Sequence, residues 1–168
     1  MPDGFADVVV AGQAYHWFDP APAHAEIARV LRPGGVFVPL WNILDLSVPW
    51  QAELTRVSED DTAGRGTEPP EIGSLGPAYG PVERRRFRHA VWHTADSLVG
   101  LVATRSYYLT SPPARQREID RRVRDLCATH PDLAGRDRFP LNYLTDVYRI
   151  PTVPRPSESS TLGGQGPG

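Results

Sequence analysis

The chain has 168 residues, with 20 acidic and 18 basic side chains and a formal net charge of −2. That length predicts one domain with a hydrophobic core of its own, and the near-neutral charge excludes a non-specific nucleic-acid binder. The single cysteine, Cys127, excludes an intramolecular disulfide framework. No run approaches the ~18 apolar residues of a membrane span, and Met1-Pro2-Asp3-Gly4 has neither a basic nor a long apolar leader segment. These features predict a cytoplasmic protein with no membrane partner.

In chain order, Ala6–Gly12 is nearly continuous in apolar character and β-branched in its middle. Such a run predicts a strand buried on both faces of a parallel sheet. Asp19-Pro20 predicts an N-cap with proline at the first helical position. Ala23, Ile27, Val30 and Leu31 then share one helical face. Pro33-Gly34-Gly35 is expected to end that helix, and Val36–Trp41 to form a second buried strand. Strand, helix and strand make a βαβ unit with a parallel crossover.

Pro49 to Val57 predicts a short helix. Ser58 to Pro81, rich in Gly, Pro and acidic residues, predicts a long surface loop. Glu83 to Trp92 alternates charged and apolar residues, as an exposed strand near a sheet edge does. Its run Arg84-Arg85-Arg86-Phe87-Arg88 reads either as an RNA-binding patch or as a solvated edge that repels strand pairing. Thr94 is expected to cap a helix carrying Leu98, Leu101 and Val102. Ser111-Pro112-Pro113 opens another, with Ile119, Val123, Leu126 and Cys127 on one face. That places Cys127 in apolar packing rather than in chemistry. Phe139 to Tyr148 predicts the last strand, and residues 151–168 a disordered Pro/Gly/Ser tail. The fold class is therefore α/β, with a parallel core and an antiparallel edge.

Ligands of open α/β sheets bind beyond the carboxyl ends of the parallel strands. Two such ends are visible, Ala11 to Asp19 and Trp41-Asn42-Ile43, and they concentrate ring and amide side chains. The five histidines include no HExxH motif, and His89 and His93 would lie ~13 Å apart along a strand. A metal site is therefore not expected.

Gln13-Ala14-Tyr15-His16-Trp17-Phe18-Asp19, followed by Glu26-Ile27-Ala28-Arg29-Val30-Leu31-Arg32-Pro33-Gly34-Gly35 and by Leu40-Trp41-Asn42, resembles the class I S-adenosylmethionine-dependent methyltransferases. The likeness is to the type 11 and trans-aconitate methyltransferase-like branch, and it extends over residues 1–150. It implies a doubly wound Rossmann-like sheet whose strands four, five, seven and six lie in this chain, the last inserted antiparallel. It implies S-adenosyl-L-methionine as cofactor and a small molecule as methyl acceptor. Carried over, the cofactor contacts would be Ala11, Gly12, Gln13, His16 and Trp17, while Trp41 and Asn42 would face the substrate. Histidine is the residue type suited to moving a proton near neutrality. His16 is thus the candidate base or substrate ligand, unless it only packs in the pocket wall.

The family's glycine-rich loop after its first strand is not present as a motif in the chain. Gly34-Gly35 follows a helix, and Gly163-Gly164-Gln165-Gly166 lies in the tail. Three β/α units, about 90 residues at ~30 each, are expected to be missing, so the chain reads as the C-terminal half of such a domain. Two consequences are expected: weak cofactor binding, and self-association through an exposed strand at residues 6–12. The alternative is a half-domain without catalysis that pairs with itself or with a partner chain.

Overall fold

A computed structural model describes residues 1–58, 72–73 and 75–153. In chain order the elements are β1 (Ala6–Gly12), a 3-10 turn (Tyr15–Trp17), α1 (Pro20–Val30), β2 (Leu31–Leu44), α2 (Pro49–Ser58), β3 (Glu83–His93), α3 (Ala95–Ala103), α4 (Ser106–Leu109), α5 (Pro113–Thr129) and β4 (Phe139–Pro151).

The four strands form one mixed sheet in the order β1-β2-β4-β3. Its directions follow from side-chain and backbone ties. Gly4 N–H donates to Arg29 O at 2.9 Å, and Gly35 lies against Asp7 O. Residue numbers rise together, so β1 and β2 are parallel. Thr152 N–H donates to Gly35 O at 2.8 Å and Asp45 N–H to Asn142 O at 3.0 Å. One number falls as the other rises, so β4 is antiparallel to β2. Arg149 with Glu83, Asp146 with Arg86 and Tyr143 with His89 give the same sense for β4 and β3. The α/β class accords with the sequence and the antiparallel last strand with the resemblance, but that strand lies inside the sheet between β2 and β3, so the expected parallel core with an antiparallel edge is corrected.

The chain divides into two compact units. The first holds Met1–Pro39, Ile72–Glu83 and the chain from Tyr148 onward; the second holds Leu40–Glu71 and Arg84–Val147. Within the second, α2, α3 and α5 bury Leu54, Leu98 and Val123 against Phe139 and Leu141 of β4. Trp50 meets Phe139 edge-on at 5.4 Å. The apolar stripe of α5, spaced at three and four residues, is what directs that helix inward. Thr94 caps α3 as expected, in a reciprocal capping box with Ser97. Within the first unit, Ile27 and Val30 of α1 are buried, as are Phe37 and Ile150.

Several expectations need correction. β1 is an edge strand with one neighbour in the described sheet, and Val8 and Val10 are 51% and 61% exposed. The run that reads as buried on both faces is therefore largely open, in accord with the exposed strand expected at residues 6–12. Asp19 stands at the N-cap of α1 but makes no side-chain capping bond. The helix ends at Val30, three residues before Pro33, and β2 begins at Leu31, with Arg29 O bonded to Gly4 just ahead of β1 and Arg32 paired with Asp7 on it. Pro33-Gly34-Gly35 thus lies inside β2. A Cβ at Gly35 would stand 2.9 Å from Arg32 O and 3.1 Å from Asp7 O, so this close approach requires glycine. The last strand runs on to Pro151, and α4 was not expected. The exposed edge strand is found at Glu83–His93. Most of the expected loop at 58–81 and of the tail at 151–168 lies outside the described residues. The end of the loop does not: Tyr79 is buried and bridges antiparallel to Thr152.

Candidate functional site

The carboxyl end of β1 leads into a turn built around one inward ring. Ala11 is buried, while Gly12 and Gln13 are exposed. Gln13 has φ +52°, in the left-handed region that non-glycine residues seldom occupy. The chain then closes a 3-10 turn, with Trp17 N–H donating to Ala14 O and Phe18 N–H to Tyr15 O, both at 3.0 Å. A turn of three residues per revolution sends neighbouring side chains in different directions. Tyr15 points inward and is buried; His16 and Trp17 point outward. Their rings lie 4.9 Å apart at 49°, and Trp17 is 79% exposed.

The five residues expected at the cofactor therefore sit on one continuous segment. Ala11 is covered by the fold, and Gly12, Gln13, His16 and Trp17 reach the surface. Trp41 and Asn42 lie in the second unit, on successive and hence opposite-facing positions of β2. Trp41 is a core ring at 3% exposure. Asn42 is half-buried, and its Oδ1 accepts from Thr145 Oγ1 at 3.0 Å. His89 Nδ1 lies 3.4 Å from the same Thr145 hydroxyl, and the His89 ring stacks on Tyr143 at 5.2 Å.

The sequence did not single out the cluster that holds the turn. Tyr15 Oη lies 2.6 Å from Nε2 of His24, and the two rings stack at 5.8 Å. Phe37 and Phe18 meet Tyr15 edge-on at 5.5 and 6.2 Å. Tyr79 Oη donates to His24 O at 2.7 Å. Burial pushes the His24 imidazole below its ordinary range and the Tyr15 phenol above its own. Tyr79 is pushed up to about 12, chiefly by burial. A signal existed: His24 is three residues before Ile27 and seven before Leu31, on the inward face of α1. Beside this cluster, α1 and residues 75–79 border an open, mostly apolar cleft of about 460 Å³. Among the described residues no group of three or more His, Cys, Asp and Glu is placed to hold a metal. No described helix is long and apolar enough to cross a membrane.

A methyltransferase-domain family profile matches residues 1–38, the stretch that contains β1, the turn and α1. An uncharacterized methyltransferase of Mycobacterium tuberculosis is 39% identical over 151 residues. The chain is similar to methyltransferases in sequence. That alignment covers 89% of this chain and 60% of the mycobacterial protein. An uncharacterized methyltransferase of Schizosaccharomyces pombe is 30% identical over 156 residues, covering 92% of this chain and 62% of the relative. The chain thus spans about 60% of the length of the curated relatives it matches. In fold it is similar to a solved structure from Anaeromyxobacter dehalogenans, provisionally assigned as a type II methyltransferase. There the TM-score is 0.50 at 22% identity, over 92% of this chain and 68% of the other.

Proposed function

We propose that the chain contributes to S-adenosylmethionine-dependent methyl transfer onto a small-molecule acceptor, in a cytoplasmic setting. The observation that carries this reading is the segment Gly12–Trp17. It lies at the carboxyl end of a parallel strand, inside the stretch that matches the methyltransferase profile, and turns backbone, amide and ring groups outward. The strand order and the antiparallel β4 further support assigning β1, β2, β4 and β3 as strands four, five, seven and six of a methyltransferase sheet.

The donor set fits the cofactor. The exposed Trp17 ring offers a π face to a purine or to a sulfonium cation. Exposed backbone at Gly12 and Gln13 can approach a ligand closely, because Gly12 has no side chain in the way. The Gln13 amide can both donate and accept. S-adenosylmethionine brings an already activated methyl group, so positioning and exclusion of water are the protein's main tasks. His16, which lies beside Trp17, is proposed to take a proton from an acceptor that arrives protonated. The test is a tryptophan-fluorescence titration with S-adenosylhomocysteine. Quenching that is lost in Trp17→Phe supports the reading, whereas identical curves for both proteins would reject it.

A second reading, a non-catalytic module that pairs through β1, is favoured by the exposure of Val8 and Val10 on an edge strand. Its test is association in solution, taken up below.

A further inference from the structure

The segment proposed to hold the cofactor packs on α1 through the buried Tyr15 ring. Its 3-10 turn carries two backbone hydrogen bonds, and His16, Trp17 and Phe18 are exposed. Tyr15 turns inward from it and bonds α1. We propose that the Tyr15–His24 hydrogen bond is a latch between this segment and α1, making His24 a positioning residue for the cofactor loop. The proposal rests on the reading of Ala11–Trp17 given above.

Three observations carry it. The contact is short, at 2.6 Å, and joins two buried side chains nine residues apart. The His24 ring is fixed from behind, because Tyr79 packs edge-on to it at 6.1 Å and bonds the His24 carbonyl. Gln13, immediately before the turn, holds a left-handed backbone that the surrounding contacts must maintain. With His24 neutral and its proton on Nδ1, Nε2 accepts from the Tyr15 hydroxyl. On protonation Nε2 loses that lone pair: the bond survives only if Nε2–H donates to Tyr15 Oη instead, and the added charge is buried. The titratable groups that face His24 are the phenols of Tyr15 and Tyr79; Glu26 and Arg29 of α1 pair with each other instead. Among the described residues no acid faces the ring, so acidification weakens the latch.

The test compares the full chain with Tyr15→Phe, which keeps the ring contacts and removes one oxygen. Amide hydrogen exchange is read at Trp17 and Phe18, with α5 as internal control. Near pH 8, Tyr15→Phe is expected to speed exchange at both amides by about three- to ten-fold, the range for one net hydrogen bond. The difference should close as the pH falls through the titration of His24, below the usual histidine range. His24→Phe should give the same loosening, and the double variant no more than either single one. In parallel, the Kd for S-adenosylhomocysteine should rise on acidification for the wild type and stay flat for Tyr15→Phe.

Unchanged exchange in Tyr15→Phe, loosening shared with α5, or a difference that persists at low pH would overturn the latch. If the homocysteine derivative perturbs Trp17 while exchange is unmoved, the latch falls and the cofactor reading stands. If exchange responds as described but the ligand binds nowhere, the latch stands and its assignment to a cofactor site falls.

Discussion

Gln51 on α2 is hydrogen-bonded to the backbone of Asn142 on β4 much as a neighbouring strand residue would be. Its Oε1 accepts from Asn142 N–H at 2.7 Å, and its Nε2 donates to Asn142 O at 2.9 Å. Nε2 also reaches Asp45 O at 3.1 Å. Gln51 is fully buried, so no solvent can replace these bonds. Replacing it with leucine would strand a buried N–H and weaken two carbonyl contacts. At roughly 1–3 kcal/mol for each unsatisfied group, Gln51→Leu is expected to lower stability by about 3 kcal/mol. Urea denaturation of the two proteins measures this directly.

Asp146 is fully buried between two half-exposed arginines. Arg86 donates from Nε and Nη2 at 2.8 and 2.7 Å; Arg84 does so at 3.1 and 2.9 Å. Hydrogen bonds from Arg86, and then from Arg84, hold the carboxyl below the usual carboxylate range. A lowered folded pKa stabilises the fold above the unfolded value, near 3.9, and the benefit is lost as pH falls through the folded value. Asp146→Asn is expected to cost about 2 kcal/mol at pH 7, less than the loss for a fully buried pair because both arginines reach solvent. The gap between the two proteins should narrow below about pH 4. Denaturation midpoints measured from pH 7 to pH 3 test both the size and the sign.

Cys127 is 7% exposed on the inward face of α5, and burial pushes its thiol up against the opposing pull of Arg124. Alkylation needs the thiolate. Iodoacetamide labelling at pH 8 is therefore expected to be slow in the native chain and to rise in step with unfolding as urea is added. Rapid labelling without denaturant would show that α5 does not bury it.

The elements that carry a strong period were legible in the sequence. The α5 stripe Ile119, Val123, Leu126 and Cys127, the Thr94 cap and the charged alternation of Glu83–His93 all fold as read. Local apolar character could not say how many neighbours β1 has, because the same Val8-Val9-Val10 run suits a central strand and an edge. Of the candidate segment, the sequence named the short motif that carries His16 and Trp17. The site was not legible where the partner lies elsewhere in the chain. Tyr15 meets Tyr79 across His24, from a stretch whose composition predicted only a loop. Asn42 meets Thr145, 103 residues away, for which no local pattern gives a sign.

β1 presents Val8 and Val10 on an edge strand whose one charged residue, Asp7, is paired with Arg32. Nothing repulsive guards this edge, unlike β3 with its four arginines. At tens of micromolar, sedimentation velocity is expected to show association of the chain. Val10→Lys should shift it toward monomer while leaving the α5 core and its unfolding midpoint within about 0.5 kcal/mol. A chain that is monomeric throughout would remove the pairing reading.

The central claim is that Gly12–Trp17 is one side of a cofactor site. Titration of the isotopically labelled chain with millimolar S-adenosylhomocysteine, followed by backbone amide NMR, tests it most directly. The account predicts saturable shifts centred on Gly12, Gln13, His16 and Trp17, with α5 silent. Shifts that are absent, or that centre on another element, would contradict it.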